Sequence, residues 1–368
     1  MFKPLSLFGF ATILGLSACA GSTTLNPPQA VKTTSSVSSK IATQPSDQFD
    51  LSHWKLTLPV DADRNGKVDS ISVKELQSYA HPDFFYIDEQ GHMVFTAPNK
   101  GGTTPNSSNT RSELRYMIRG TNNKIRTAAP LNNFALASHS KASEFGSIGG
   151  RMLATLHIDH VPLNANRPGD RSAYAGVIGQ IHGLRLKEAK KSDDFGHGGE
   201  PLKIIYKKWP DHDAGSIYWH YERNRPSGHP DKKDIDYLVW GKRSKDKTDP
   251  GEQGIKLGES FSYIVNVYED TMYLTFVSPR LGRVTHQLNL ANNIDLNGNI
   301  DEKDNPIGYA EDGHYFKAGV YNQCRAGLKG NETESRCQGT GNWDIDQANG
   351  DYFQVSFERL NVTKPVAP

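Results

Sequence analysis

An all-β fold, a single large sandwich or jelly roll, is what this sequence predicts, on three observations. From Leu51 onward the apolar residues come in short runs that mostly alternate with polar ones, and Gly, Pro, Asn and Asp bound those runs. No linker-like break and no repeat of 20 to 50 residues interrupts positions 47–362. The composition agrees: 34 Gly, 20 Pro, 36% hydrophobic, 10% aromatic and 23% charged residues in a chain of 368 suit a turn-rich globular protein and exclude wholesale disorder. Length alone admits two or three ordinary domains or one large β domain. The unbroken strand pattern favours one.

The first element is not part of that fold. Lys3 precedes an apolar stretch, Leu5–Leu16, that is too short for the ~20 residues of a bilayer span but suits a secretory leader, residues 1–18. Leu16-Ser-Ala-Cys19 resembles a bacterial lipobox, so Cys19 is expected to be lipidated; ordinary cleavage after Ala18 is the alternative. With Ala20 rather than Asp after the cysteine, the expectation is a lipid-anchored protein of the cell envelope, in the outer membrane. Residues 19–46 are Ser/Thr/Pro-rich and read as a flexible tether, leaving 47–363 as the folded domain. Loss of Lys3 from a chain of net charge +1 leaves the mature protein neutral, so no overall field selects nucleic acid, and membrane contact is expected through the anchor alone. With Cys19 acylated, Cys324 and Cys337 are an even pair in an oxidising compartment, and a disulfide between them is expected.

Within the domain, strands are expected at Trp54–Leu58, Met93–Ala97, Arg111–Met117, Met152–Ile158, Ala175–His182, Lys203–Lys208, Ser216–Glu222, Tyr237–Trp240, Tyr263–Tyr268, Tyr273–Val277, His314–Gln323 and Phe353–Leu360, and one helix at Ser72–Tyr79. In three of these strands the outward face is unusually rich in functional groups. Arg111, Glu113 and Arg115 share one face with Leu114 behind; Gln180 and His182 share one with Ile181 inward; Tyr315, Lys317, Gly319, Tyr321 and Gln323 share one with Phe316, Ala318 and Val320 toward the core. If the three strands are neighbours they make a groove of Arg, Lys, His, Gln and Tyr, with Gly319 permitting close approach. Taken singly, each also reads as a surface feature: an ion-pair ladder, a two-residue coincidence, an exposed edge strand.

Together the three segments resemble the signature regions of the alginate lyases of polysaccharide lyase family seven, and Trp54-Lys-Leu-Thr-Leu-Pro59 is similar to that family's opening strand. The likeness covers nearly all of residues 49–363; the departures lie in loops, notably 184–201. The resemblance implies a β-jelly roll, a concanavalin A-like sandwich of two antiparallel sheets with the active site across a concave face. It implies that Arg111, Gln180 and His182 bind the uronate carboxylate and that Tyr321 supplies the catalytic hydroxyl. Glu113, Arg115, Lys317, Tyr315 and Gln323 then contribute to substrate binding. The partner implied is alginate, an anionic polysaccharide, handled by a monomer without cofactor or metal. Gln-Ile-His at 180–182 is associated in that family with guluronate-containing blocks.

The chemistry suits these residue types. Cleaving a uronan by β-elimination removes the C5 proton beside an anionic carboxylate, whose charge fixed donors such as Arg111 and the Gln180 amide can offset. A base that works near neutrality is needed, and His has the nearest unperturbed pKa. A Tyr can protonate the leaving O4, and the division of labour between His182 and Tyr321 is open at this level. A retaining glycoside hydrolase on the same fold would need a Glu-x-Asp-x-x-Glu strand, which the chain lacks. A non-catalytic uronan-binding lipoprotein is the stronger alternative. Asp61-Ala-Asp-Arg-Asn-Gly66 has EF-hand-like spacing but Ser72 at the twelfth position, and it, like the run from Asn293 to Asp304, is expected to form Asx-rich turns rather than a calcium site.

Overall fold

The computed structural model describes residues 44–368 apart from 188, 190–194 and 328–334. The expected leader, Cys19 and the expected tether up to residue 43 lie outside the described residues, as does part of the 184–201 loop. Among the described residues, no helix is long and apolar enough to cross a membrane.

Two sheets share one apolar core. The first runs in space β12 (Asp234–Trp240), β11 (Ser216–Glu222), β10 (Leu202–Lys207), β9 (Ala175–Gly183), β16 (His314–Asn322), β5 (Arg111–Tyr116), β1 (Trp54–Thr57) and β2 (Ser70–Ile71), with β6 (Phe134–Ala135) on β16 and β7 (Ser147–Ile148) on β6. The second runs β15 (Gly282–Asn289), β14 (Thr271–Ser278), β13 (Phe261–Tyr268), β8 (Gly150–His160), β17 (Tyr352–Thr363), β4 (Met93–Pro98) and β3 (Phe85–Ile87). Every pairing is antiparallel except the short β6–β7 contact. This is the expected all-β jelly-roll architecture, and the expected strands are all present.

Strand alternation builds the core as the period-two pattern predicts. In β8, Met152, Ala154, Leu156 and Ile158 are buried while Arg151, Leu153, Thr155 and His157 turn outward. Leu114, Ile181, Phe316, Ala318 and Val320 meet them from the first sheet. Each fully buried Leu, Ile or Phe side chain contributes roughly 1.5–3 kcal/mol. The sheets approach so closely at Gly179 that a Cβ there would lie 2.6 Å from the Tyr263 hydroxyl, which donates to the Ile178 carbonyl at 2.9 Å.

Some elements differ from expectation. The helix expected over 72–79 is confined to α1 (Val73–Leu76). Ser72 and Glu75 form a reciprocal capping box, but beyond Leu76 the chain tightens into three-residue bonds from Gln77 to Lys74 and Ser78 to Glu75. A second helix, α2 (Trp343–Asn349), was not expected, since it is short and leaves Ile345 47% exposed. Its ends were marked, by Asn342 as N-cap and by Gly350 at φ 72°. Strand β15 was also missed; it lies at the sheet edge and mostly faces solvent, with Leu288 its one buried side chain.

Cys324 and Cys337 form the expected disulfide, with Cα atoms 5.3 Å apart. It anchors the chain just after β16, where the Tyr174 amide donates to Cys324 Sγ at 3.1 Å. In both Asp/Asn/Gly runs the side chains make Asx turns: Asp61 accepts from the Asn65 and Gly66 amides, and Asp295 from those of Asn297 and Asn299. Asp61, Asp63 and Asp69 place carboxylate oxygens within 4.8 Å of one another on the surface.

Candidate active site

The three polar-faced segments are adjacent strands. β16 lies between β9 and β5, with Lys317 opposite Gln180 on one side and Arg115 on the other, Tyr315 opposite His182, and Tyr321 opposite Arg111. Their shared outer face floors a groove of about 400 Å³. The sheet is irregular at this level, with register shifts between Ala318 and Tyr321 and between Ile204 and Ile205. Such bulges re-aim side chains. Gly319 has φ +123°, and a Cβ on it would lie 2.6 Å from the Ser112 carbonyl oxygen, so only glycine lets β16 bend here.

At the base of the groove the Glu113 carboxylate is a buried hub. It accepts from Lys317 Nζ, from Gln180 Nε2 and from Arg111 Nη1, the last at 2.9 Å. A carboxylate can be this deeply buried only because cations and an amide surround it. Gln180 is itself only 1% exposed, and its Oε1 has no partner among the described residues. Burial and the nearby Arg111 guanidinium press the Lys317 ammonium down to about 8, against the pull of Glu113.

Arg111 connects this hub to Tyr321. Its Nη2 donates to Ser107 Oγ at 2.9 Å, Ser107 Oγ lies 3.0 Å from the Tyr321 hydroxyl, and its guanidinium carbon sits 4.1 Å over the Tyr321 ring. The Tyr321 hydroxyl is therefore positioned by a neighbouring hydroxyl and a fixed positive charge.

His182 belongs to a second assembly. Its ring stacks on Tyr315 with centroids 5.2 Å apart, and Arg115 lies over the Tyr315 ring with its guanidinium carbon 3.6 Å from the ring centre. Asn133 Oδ1 and the Thr127 carbonyl hold Arg115 at 3.0 and 3.2 Å. His182 Nδ1 lies 2.8 Å from the Gly183 carbonyl. A carbonyl only accepts, so Nδ1 carries the hydrogen and Nε2 presents a bare lone pair. Burial pushes the imidazole down to about 4, with Lys317 and Arg111 working in the same direction against Glu200, so His182 is neutral near pH 7.

The groove wall holds six cations, Lys55, Arg111, Arg115, Arg185, Lys232 and Lys317, against the carboxylates Glu113, Glu200 and Glu222. A chain of net charge +1 thus concentrates positive charge in one place, which suits an anionic ligand. The structure brings Arg111, Glu113, Arg115, His182, Tyr315, Lys317 and Tyr321 together along this groove. Gln180 supports it from beneath through Glu113. Gln323 lies beyond the end of β16, is not among the lining residues and turns its amide back to the Tyr321 carbonyl at 3.3 Å.

Sequence reasoning missed Ser107 and Glu200, which come from loops and carry no periodic signal. It also missed Lys55, whose place on the groove face follows from pairing opposite Arg115.

A family model described as alginate lyase matches residues 49–364. An alginate lyase of Klebsiella pneumoniae is 34% identical over 329 residues, covering 87% of this chain and 91% of that protein. The crystal structure of the alginate lyase from Klebsiella pneumoniae superposes with a TM-score of 0.67 at 31% identity, over 88% of this chain and 99% of the other. The exolytic PL7 alginate lyase AlyA5 from Zobellia galactanivorans gives a TM-score of 0.67 at 30% identity, over 89% and 99%.

Proposed function

The chain belongs to the alginate lyase family of polysaccharide lyases, and on that basis we propose that it depolymerises alginate by β-elimination, acting on guluronate-containing blocks and leaving unsaturated uronate ends. The observation that carries this reading is the pairing, in one cationic groove, of a neutral imidazole whose Nε2 is bare with a tyrosine hydroxyl fixed beside an arginine.

In the proposed reaction Arg111 and Lys317 offset the uronate carboxylate, and Gln180 supports them from beneath by donating to Glu113. Offsetting that charge acidifies C5–H, which is the largest single contribution such a site can make. His182 Nε2 takes the C5 proton, and the C5–H electron pair becomes the C4=C5 double bond. The C4–O4 bond breaks, and O4 receives the Tyr321 hydroxyl proton. His182 then returns its proton and Tyr321 regains one through solvent, so nothing is consumed but the glycosidic link. Glu113 holds Lys317 and Arg111 at the carboxylate position, and Arg115 holds Tyr315 against the base.

Adding alginate to the purified protein tests this directly: absorbance near the ultraviolet edge should rise as unsaturated ends form, and tight binding without that rise would favour a binding protein. The block preference rests on Gln180-Ile-His182 and is tested by kcat/KM on the two homopolymers. A mannuronate preference overturns it.

The cellular setting is part of the same reading. Leu16–Cys19 supports a lipid anchor in the outer membrane, from which the tether presents the domain. A Cys19→Ser variant should leave the membrane fraction or fail to be processed; a normally cleaved, membrane-bound variant would overturn the anchor.

A further inference from the structure

Glu200 stands at the end of the 184–201 loop, immediately before β10, with its two carboxylate oxygens facing different partners. Oε2 is fixed by Lys203 Nζ at 2.8 Å, and Lys203 is in turn held by Asp234 at 2.7 Å. Oε1 faces His182 Nε2 at 3.4 Å. Because Nδ1 carries the imidazole hydrogen, both of these atoms are acceptors, and no hydrogen bond joins them in the resting protein. The distance exceeds the 2.7–3.2 Å of an N–H···O bond and leaves the lone pair open to the groove.

From this geometry we propose that Glu200 is a positioning residue for His182: its Oε1 receives the Nε2–H that forms when His182 takes the C5 proton. A small turn of the imidazolium closes the contact into a charge-assisted hydrogen bond. The interaction exists only once the proton has moved, so it lowers the barrier without tightening the ground state. Lys203 keeps the carboxylate ionised and in place, holding Glu200 well below the usual carboxylate range although burial alone would raise it. This inference rests on His182 being the base.

Among the described residues, the charged and titratable groups that act on His182 are Tyr315, Lys317 and the buried His314 from β16, Arg111 from β5, and Glu200. Arg185 and His197 complete that end of the groove wall. Burial, Lys317 and Arg111 oppose protonation of His182. Glu200 is the carboxylate that favours it.

The test is an NMR titration of the His182 imidazole in the full chain and in Glu200→Gln, alongside kcat for both on alginate. The pKa of His182 should fall by about one unit or more in the variant, and kcat should fall about tenfold, while Glu200→Asp retains part of each. If Glu200→Gln fails to fold because Lys203 is stranded, Glu200→Gln with Lys203→Met removes both charges and is titrated instead. An unchanged His182 pKa overturns the inference, even if kcat falls. A lowered pKa with undiminished kcat overturns His182 as the base, and with it the reaction proposed above.

Discussion

The Tyr315 ring lies almost parallel to the His182 imidazole, their planes 11° apart and centroids separated by 5.2 Å. The Arg115 guanidinium also lies over the Tyr315 ring. The His182 imidazole thus packs on a ring that an arginine also contacts. Tyr315→Phe keeps that ring and should keep kcat near the parent value, whereas Tyr315→Ala should lower it about tenfold or more by freeing the imidazole. Equal steady-state rates for the parent and the alanine variant would show that the stack positions nothing.

The pH profile follows from two groove residues. His182 must be neutral to accept a proton and titrates at about 4, so kcat/KM should fall as the pH drops through that value. Lys317 must be charged to offset the uronate and titrates at about 8, so kcat/KM should fall again above it. Lys317→Arg keeps its charge at high pH and should remove or raise the alkaline limb; an unmoved limb would assign it to another group. Folding stability changes in the acid range too. His182 and the buried His314, pushed down to about 3, take up protons in the unfolded chain below the ordinary 6.5 but not yet in the folded one. Stability therefore declines from pH 6.5 toward 3, and initial rates must be read beside melting curves.

Gly319→Ala tests the bend in β16. A methyl group there meets the Ser112 carbonyl and a backbone angle of +123° that alanine avoids, so stability should fall by about 1–3 kcal/mol. Because the bend lies between Lys317 and Tyr321, kcat should fall with it. A variant with unchanged melting temperature and rate would mean that the strand absorbs the change without moving Tyr321.

The Cys324–Cys337 bond closes a short loop just past β16, with a sequence separation of 13. Reduction, or Cys324→Ser, should lower stability by roughly 3 kcal/mol in the chain-entropy account. Two free thiols in the denatured, unreduced protein would refute the bridge.

Much of the fold and the floor of the site were legible in the sequence because both depend on period two. The alternation that buries Phe316, Ala318 and Val320 necessarily displays Tyr315, Lys317 and Tyr321, so core and groove are written in the same residues. The sequence could not show what joins residues remote along the chain. Ser107 meets Tyr321 across 214 positions, and nothing local marks a loop serine for that contact. Glu200 is similar: its place beside His182 depends on how the 184–201 loop returns to β10. The role of Glu113 as a hub required knowing that Lys317 and Gln180 flank it from two strands.

The central claim is that the Tyr321 hydroxyl moves a proton in the elimination, and Tyr321→Phe tests it most directly. The substitution removes one oxygen and leaves the ring under Arg111. Under single-turnover conditions at saturating alginate, the rate of unsaturated-product formation should fall by roughly 10²-fold or more with binding little changed. Elimination at a rate near that of the parent protein would contradict the account, leaving Tyr321 as a wall of the groove and the proton transfer to another group.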